Sequence, residues 1–124
     1  MTIINPHMLP KVRSKSLRDA CRKYPCSLRI ASFGGMRCAH QSTVVGCHLP
    51  SFGKGVSTKV SDLFIAAGCQ VCHDLLDGRD PRGFVIAETY PAAFAERIML
   101  AHHETLMRWW VDEILIIKDA ETVQ

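Results

Sequence analysis

Cysteine and histidine are the residue types with the most distinctive chemistry in this chain, which has six of each. Cys69 and Cys72 lie three residues apart at the start of a predicted helix, a spacing that lets both thiolates bind one metal ion. A structural zinc site needs four ligands, and Cys26 and Cys38 each precede a predicted strand, so a hairpin could carry both to the first pair. We therefore predict a structural zinc ion held by Cys26, Cys38, Cys69 and Cys72.

The segment from Cys69 to His73 also fits another chemistry, because Cys-x-x-Cys-His is the attachment motif for c-type haem. Haem attachment usually requires export to an oxidising compartment, and residues 1–8 have neither the basic start nor the apolar run of a signal peptide. It would also leave Cys26 and Cys38 unexplained, unless one of them is only a small buried apolar residue. We therefore favour zinc and expect no organic cofactor.

Two histidines and one aspartate outside the cysteine set could do chemistry at a second site. His73 and Asp77 lie four residues apart, on one face of the predicted helix, and could share a catalytic cation. His48 lies in an apolar, β-branched segment that predicts a strand. Each also has a structural interpretation, since Asp77 could simply end the helix and a single strand histidine is usually part of the fold.

The net charge of +3 hides an uneven distribution along the chain. Residues 11–59 carry ten Lys or Arg and one acid, a charge of +9, whereas residues 60–124 carry five Lys or Arg and eleven acids, a charge of −6. Such a basic half favours a polyanion such as DNA as partner, although it could also be a solvated surface without one. The candidate phosphate-binding residues are Arg29, Lys54, Lys59 and Arg79.

The elements that must position these residues indicate an α+β fold. The patterns predict a short basic helix over 17–23 capped by Ser16, a hairpin of strands 27–33 and 43–49, a turn or short helix over 62–67, a helix over 71–76 that Gly78 ends, a turn near 80–83, and a long helix from Pro91 to about Val111. Residues 114–118 could end that helix or form a closing strand. We assign residues 1–14 to a flexible arm and residues 15–124 to one domain.

The hydropathy of the chain favours a soluble location. No segment is apolar over the ~20 residues that a membrane span needs. We therefore expect a cytoplasmic protein with no membrane partner.

The segments VVGCHLP and CQVCHD together resemble the HNH, or His-Me finger, endonucleases. That resemblance implies a ββα-metal core, a β-hairpin followed by a helix that together clasp one cation. It assigns the general base to His48, a cation ligand to His73 and a second ligand to Asp77. Asp62 lies near the position of the family's middle Asn, where it would hold the loop and orient His48. The chain departs from the pattern at Cys47, where many members carry Asp or His, and at Asp62 itself.

A closer resemblance, over roughly residues 14–118, is to the small nucleases of lambdoid prophages, the YbcO-like family. It rests on the combination of PCSLRI, TVVGCHLP, KVSDL, CQVCHDLLDGR and HHETLMRWW. The resemblance implies a metal-dependent DNA endonuclease of prophage DNA processing or recombination, a monomer or homodimer with structural Zn²⁺ and Mg²⁺ or another divalent catalytic cation. The alternative is a non-catalytic zinc-binding module that grips DNA or a protein through the same scaffold.

Overall fold

The computed structural model describes residues 10–50 and 60–123. In these ranges the chain has an α+β fold with one two-stranded antiparallel sheet. Three single 3-10 turns occupy Cys21–Lys23, Ala31–Gly34 and Gln41–Thr43. The regular elements are α1 (Lys15–Ala20), β1 (Val45–His48), β2 (Ile65–Gly68), α2 (Gln70–Asp77), α3 (Arg82–Thr89) and α4 (Pro91–Val111).

The hairpin pairs β1 with β2, with Val45 opposite Gly68 and His48 opposite Ile65. The predicted partner, a strand over 27–33, is therefore wrong. The prediction of a turn or short helix over 62–67 is correct only at its start, because residues 62–63 form a turn and Ile65–Gly68 form β2. β2 has the sequence IAAG and is buried along its whole length. Alanine and glycine have a low propensity for strands. The segment is extended because neighbouring elements pack against it.

The segment after Cys26 forms a buried turn where a strand was predicted. The backbone amides of Ser27 and Leu28 both donate to the carbonyl of Ala67, at 2.8 and 3.2 Å. Arg29 then takes a left-handed conformation, with φ of +46°, which ends any extended run. Leu28 and Ile30 are both fully buried, so their alternation with polar residues reflects a turn packed into the core.

Side chains of α4 occupy the edge of β2 that faces away from β1. The Thr105 hydroxyl accepts a hydrogen bond from the Ala67 amide at 3.1 Å and donates to the Ala101 carbonyl at 2.9 Å. The His102 Nδ1 donates to the Ile65 carbonyl at 2.9 Å. These bonds satisfy backbone groups that would otherwise be buried without a partner. Two helix side chains thus do what a third strand would do.

The long helix α4 also anchors α1. Trp109 is fully buried and its indole Nε1 donates to the carbonyl of Leu17 at 3.1 Å. The Tyr24 hydroxyl donates to the Asp112 carboxylate at 2.8 Å. The helix α1 begins one residue after Ser14, whose hydroxyl caps it, and not after Ser16 as predicted. Its position beside β1 follows from these contacts.

The second half of the chain matches the predicted helices except for one addition. Gly78 ends α2 with φ of +86°, and Pro91 begins α4, both as predicted. The helix α3 was not predicted, because its first residues look like a turn. A Cβ at Gly83 would lie 2.0 Å from the Leu75 carbonyl oxygen, so this helix packs on α2 only with glycine there. Residues 114–118 form neither a helix nor a strand.

No helix within residues 10–50 or 60–123 combines the length and the apolar character that crossing a bilayer requires.

Candidate metal centre and active site

The four predicted zinc ligands come together at one end of the hairpin. The sulfurs of Cys26, Cys38, Cys69 and Cys72 all lie within 4.8 Å of one another. Tetrahedral zinc with Zn–S bonds of ~2.3 Å would separate its sulfurs by about 3.8 Å, and the Cys38 and Cys72 sulfurs are 3.8 Å apart. The predicted grouping is confirmed, and the donor set fits a zinc ion.

Backbone amides donate hydrogen bonds to these sulfurs and so favour their negatively charged form. The Ala39 amide donates to the Cys69 sulfur, and the Cys69 amide donates to the Cys26 sulfur, both at 3.3 Å. Arg29, three residues after Cys26, takes the left-handed conformation described above. Hydrogen bonds of this kind stabilise a thiolate.

The ionisation of the cluster shows why it needs a cation. A hydrogen bond from the Cys72 thiol lowers the pKa of Cys26 to about 5, although burial acts in the other direction. Burial, together with negative charge at Cys26 and Cys69, raises the pKa of Cys38 to about 12. The first thiolate to form therefore suppresses ionisation of its neighbours. A bound dication removes that repulsion, because all four thiolates then face positive charge.

The haem alternative does not fit the burial of its two cysteines. Cys69 and Cys72 are fully buried among the other cluster residues. Thioether bonds to a haem would require both sulfurs to face a large groove instead. The cluster uses Cys26 and Cys38, the two cysteines that haem attachment leaves unexplained.

His48 ends β1 in contact with a buried carboxylate. Its Nε2 lies 2.8 Å from Asp62 Oδ1, and its side chain is 33% exposed while that of Asp62 is 1% exposed. A carboxylate accepts and does not donate, so this bond places the ring proton on Nε2. The lone pair of a neutral ring is then on Nδ1. An imidazole held in this way can take a proton from water.

Asp62 is held by groups from far along the chain. Its Oδ2 accepts from the Ser14 amide at 2.7 Å and lies 3.2 Å from Arg18 Nε, and its Oδ1 lies 3.6 Å from Arg13 Nη1. Burial alone would raise the pKa of this carboxyl, but the Ser14 amide, His48 and Arg18 together lower it below its ordinary value. Asp62 is therefore ionised at neutral pH.

The contacts around Ser14 were missed in the sequence, since they join residues 48 positions apart. The segment before α1 runs beside residues 60–62: the Asp62 amide donates to the Val12 carbonyl at 2.8 Å, and the Val12 amide donates to the Ser61 hydroxyl at 3.1 Å. The end of the predicted arm is therefore bound to the domain. The only sequence signal nearby was the basic character of α1.

His73 and Asp77 lie on one face of α2, as the spacing predicted. His73 Nε2 is 3.6 Å from Asp77 Oδ2, and both side chains are about three-quarters buried. Arg79 Nε lies 3.3 Å from the same oxygen. Burial first, then negative charge on neighbouring cysteines and on Asp77, raises the pKa of the Cys47 thiol.

Cys47 points into the core, away from the side of β1 that carries His48. It is fully buried, and successive strand residues face opposite sides of a sheet. A Cβ on Gly68 would come within 2.8 Å of its sulfur. Cys47 therefore packs as a small apolar residue on the opposite face of the strand from His48.

The candidate phosphate-binding residues have different surroundings. Arg29 Nη2 lies 2.7 Å from Glu104, which also binds Arg97 at 2.8 Å. Arg79 lies beside two acids, at 3.3 Å from Asp77 and 4.0 Å from Asp74. Both arginines are ion-paired within the protein. Lys54 and Lys59 lie outside the described residues.

Comparison with known proteins gives one match. The sequence profile of the family described as "Putative nuclease YbcO" matches residues 15–109, well over half of the chain. No curated protein and no solved structure matches. The matched range contains the four cysteines, His48, Asp62 and His73, so the features described above lie within the shared part. The chain therefore belongs to the YbcO family.

Proposed function

We propose that this protein is a metal-dependent endonuclease that hydrolyses DNA phosphodiester bonds, with His48 as its general base. The observation that carries the proposal is the hydrogen bond between His48 Nε2 and the buried Asp62 carboxylate. It orients the ring and assigns its proton, so that Nδ1 can accept a proton from an attacking water.

The order of the elements supports the same mechanism. The hairpin β1–β2 leads directly into α2, so the base lies on the first strand and His73 and Asp77 lie on the following helix. This is the order of the ββα-metal nucleases that the sequence resembles. When bound at His73 and Asp77, a divalent cation such as Mg²⁺ would stabilise negative charge on the phosphate and on the leaving oxygen.

The cysteine cluster has a structural role in this proposal. Cys72 and His73 are adjacent in α2, so a zinc ion that fixes the start of the helix also fixes the ring of His73. A role in prophage DNA processing or recombination follows from the family resemblance. The alternative is a zinc-binding module without catalysis, which needs the cluster but not the His48–Asp62 pair.

The test is nicking of supercoiled plasmid by zinc-loaded protein in Mg²⁺ or Mn²⁺. We expect His48→Ala to lower the cleavage rate by ~10²–10⁴, the usual contribution of a general base, and His73→Ala to weaken the dependence on Mg²⁺. The matched control is His103→Ala, because His103 is exposed on α4 and carries no role in the mechanism. Zinc content and circular dichroism should be the same in all three variants.

Two results would contradict the proposal. If zinc-loaded wild-type protein cuts no form of DNA or RNA with any divalent cation, the non-catalytic module is the better description. If the protein cuts DNA but His48→Ala cuts at the wild-type rate, the base has been assigned to the wrong residue.

A further inference from the structure

Two guanidinium groups flank the His48–Asp62 pair, and neither belongs to the set of candidate DNA-binding residues. Arg18 Nε is 3.2 Å from Asp62 Oδ2, and Arg13 Nη1 is 3.6 Å from Asp62 Oδ1. The carboxylate between them is 1% exposed, whereas the arginine side chains are 47% and 40% exposed. Each arginine therefore contacts the buried Asp62 carboxylate with one nitrogen, and much of the rest of its side chain is exposed to solvent next to His48.

The charges of this group do not cancel. One carboxylate faces two guanidinium groups, so the group carries a charge of about +1 when His48 is neutral. The nearest acid on α1, Asp19, is engaged elsewhere, since its carboxylate accepts from Lys15 at 2.8 Å. The surface beside His48 is therefore positive.

The arginines are also held in place before any ligand arrives. Arg18 uses Nε on Asp62 and on the Ser14 carbonyl at 3.4 Å, and Arg13 uses Nη1 on Asp62 and on the Val60 carbonyl. A guanidinium has five N–H donors in a rigid plane. Within residues 10–50 and 60–123, no hydrogen bond or ion pair uses the Nη atoms of Arg18.

Orienting a carboxylate does not require this arrangement. The Ser14 amide and His48 already hold both oxygens of Asp62, and ion pairs with half-exposed arginines add little to stability. Two pre-oriented guanidinium groups with donors facing solvent instead suit the paired oxygens of a phosphate. Arg79, by comparison, has two acids beside it, Asp74 and Asp77, and the charge there is negative.

We propose that Arg13 and Arg18 form a phosphate-binding pair that seats a DNA backbone phosphate beside His48. The placement of that phosphate at the base rests on the proposed function, but the binding itself does not. The contacts to Asp62 then have two uses: they orient the base, and they fix the guanidinium groups that hold its substrate.

The experiment measures binding of zinc-loaded protein to a short duplex oligonucleotide by fluorescence anisotropy, without added Mg²⁺ or Mn²⁺, over a range of NaCl concentrations. Each lost phosphate contact lowers the slope of log K against log salt by ~0.9. We expect Arg13→Gln/Arg18→Gln to lower this slope by about 1 to 2 and to weaken binding at low salt at least ~10-fold. The control Arg82→Gln removes the same charge from an arginine paired with Asp80 and should leave the slope unchanged.

A further variant and a cleavage assay separate phosphate binding from support of Asp62. Arg18→Lys keeps the charge but loses the planar fork, and should retain most of the salt slope with weaker affinity. Single-turnover cleavage at saturating DNA then reports on the base alone. If the double variant binds DNA with wild-type affinity and slope but cuts slowly, the arginines only position Asp62 and the proposal is overturned.

Failure of the proposed function gives a different result from failure of this inference. A protein that cuts nothing, yet loses DNA binding in the double variant and not in Arg82→Gln, supports the phosphate-binding pair and contradicts the nuclease. A protein that cuts DNA while the double variant binds like wild type contradicts the pair alone. If wild-type protein binds no duplex at low salt, the pair is excluded.

Discussion

The cysteine cluster and the His48–Asp62 pair are both compact polar sites, but they are assembled by opposite electrostatics. In the cluster, four groups of the same potential charge lie within 4.8 Å of one another, and ionisation of one opposes ionisation of the next. In the pair, a buried carboxylate meets an amide, an imidazole and two guanidinium groups. The first site has a donor set that suits a cation, whereas the second is complete with protein atoms alone.

This difference suggests separate roles for the two sites, the cluster in the stability of the fold and the pair in catalysis. A structural metal contributes its binding free energy to folding, so we expect the domain to fold only when the cluster is intact. The pair buries only one charged side chain, and we expect it to determine the catalytic activity of the domain. The helix α2 connects them, because Cys72 and His73 are neighbours on it. Each prediction below changes one side of this comparison.

The largest effect is expected from Cys69→Ser. Structural zinc supplies roughly 10 kcal/mol or more in small zinc domains, which is comparable with the whole stability of a typical domain. Loss of one of four thiolates should therefore leave the protein largely unfolded and without stoichiometric zinc. Circular dichroism and metal analysis of the purified variant would measure both.

Cys21→Ala is the control for this prediction. Cys21 is fully buried, and burial raises its pKa to about 11, so it is an uncharged thiol outside the cluster. Its variant should keep zinc and lose only the ~0.5–3 kcal/mol of an ordinary core substitution. If Cys69→Ser folds as well as Cys21→Ala, the cluster does not stabilise the fold.

A smaller effect, on cleavage more than on folding, is expected from Asp62. We expect Asp62→Ala to lower the cleavage rate by ~10²–10⁴, since His48 then loses the group that orients it. Asp62→Asn keeps an oxygen for the His48 Nε2 proton and should lose less. Equal rates for wild type and Asp62→Ala in the plasmid assay would show that His48 acts without this partner.

Asp62 should also make the free energy of unfolding depend on pH in the acidic range. The pKa of Asp62 is below its ordinary value of 3.8 in the folded protein and returns to about 3.9 on unfolding. A carboxyl with a lowered folded pKa stabilises the protein fully above the unfolded pKa, and this contribution is lost as the pH falls through the folded one. Urea unfolding between pH 2 and pH 5 should therefore show a smaller acid dependence in Asp62→Asn than in wild type.

The smallest effect is expected at the edge of β2, which lies between the two sites. Thr105→Val leaves the Ala67 amide without its acceptor, and His102→Ala leaves the Ile65 carbonyl without its donor. Each buried group left unsatisfied should cost ~1–3 kcal/mol in the free energy of unfolding. His103→Ala, one position along on the exposed side of α4, should stay within ~0.5 kcal/mol. Equal urea midpoints for His102→Ala and His103→Ala would contradict a role for the His102 bond.

Local patterns explain which predictions from the sequence were correct. The four-cysteine grouping, α2 with its glycine end, and α4 from Pro91 to Val111 were all predicted. The two helices depend on residues within one or two turns, and the grouping follows from the Cys69–Cys72 spacing together with two cysteines that precede predicted strands. Spacing and capping fix such features before the rest of the chain folds around them.

The strand pairing could not be predicted in the same way. The segment 27–33 has the composition of a strand but turns after Cys26, where the Ser27 and Leu28 amides both donate to the Ala67 carbonyl and Arg29 takes a left-handed conformation. The segment Ile65–Gly68 has the composition of neither element and becomes a strand because β1 lies on one edge and Thr105 and His102 on the other. Partners distant in the sequence decided both cases.

The sequence by itself predicted the four-cysteine grouping and the long helix, because the grouping follows from residue type and ligand count and the helix from short spacing. Only the tertiary structure decided that Asp62, which the family resemblance had assigned to orient His48, is buried, and that Ser14, Arg13 and Arg18 surround it. The contacts of Asp62 with these last three residues join positions 44 to 49 apart, and in the sequence nothing marks one polar residue of the basic segment as the partner of another. Burial made the difference, since a carboxylate removed from water must find opposite charge and N–H donors wherever the fold supplies them.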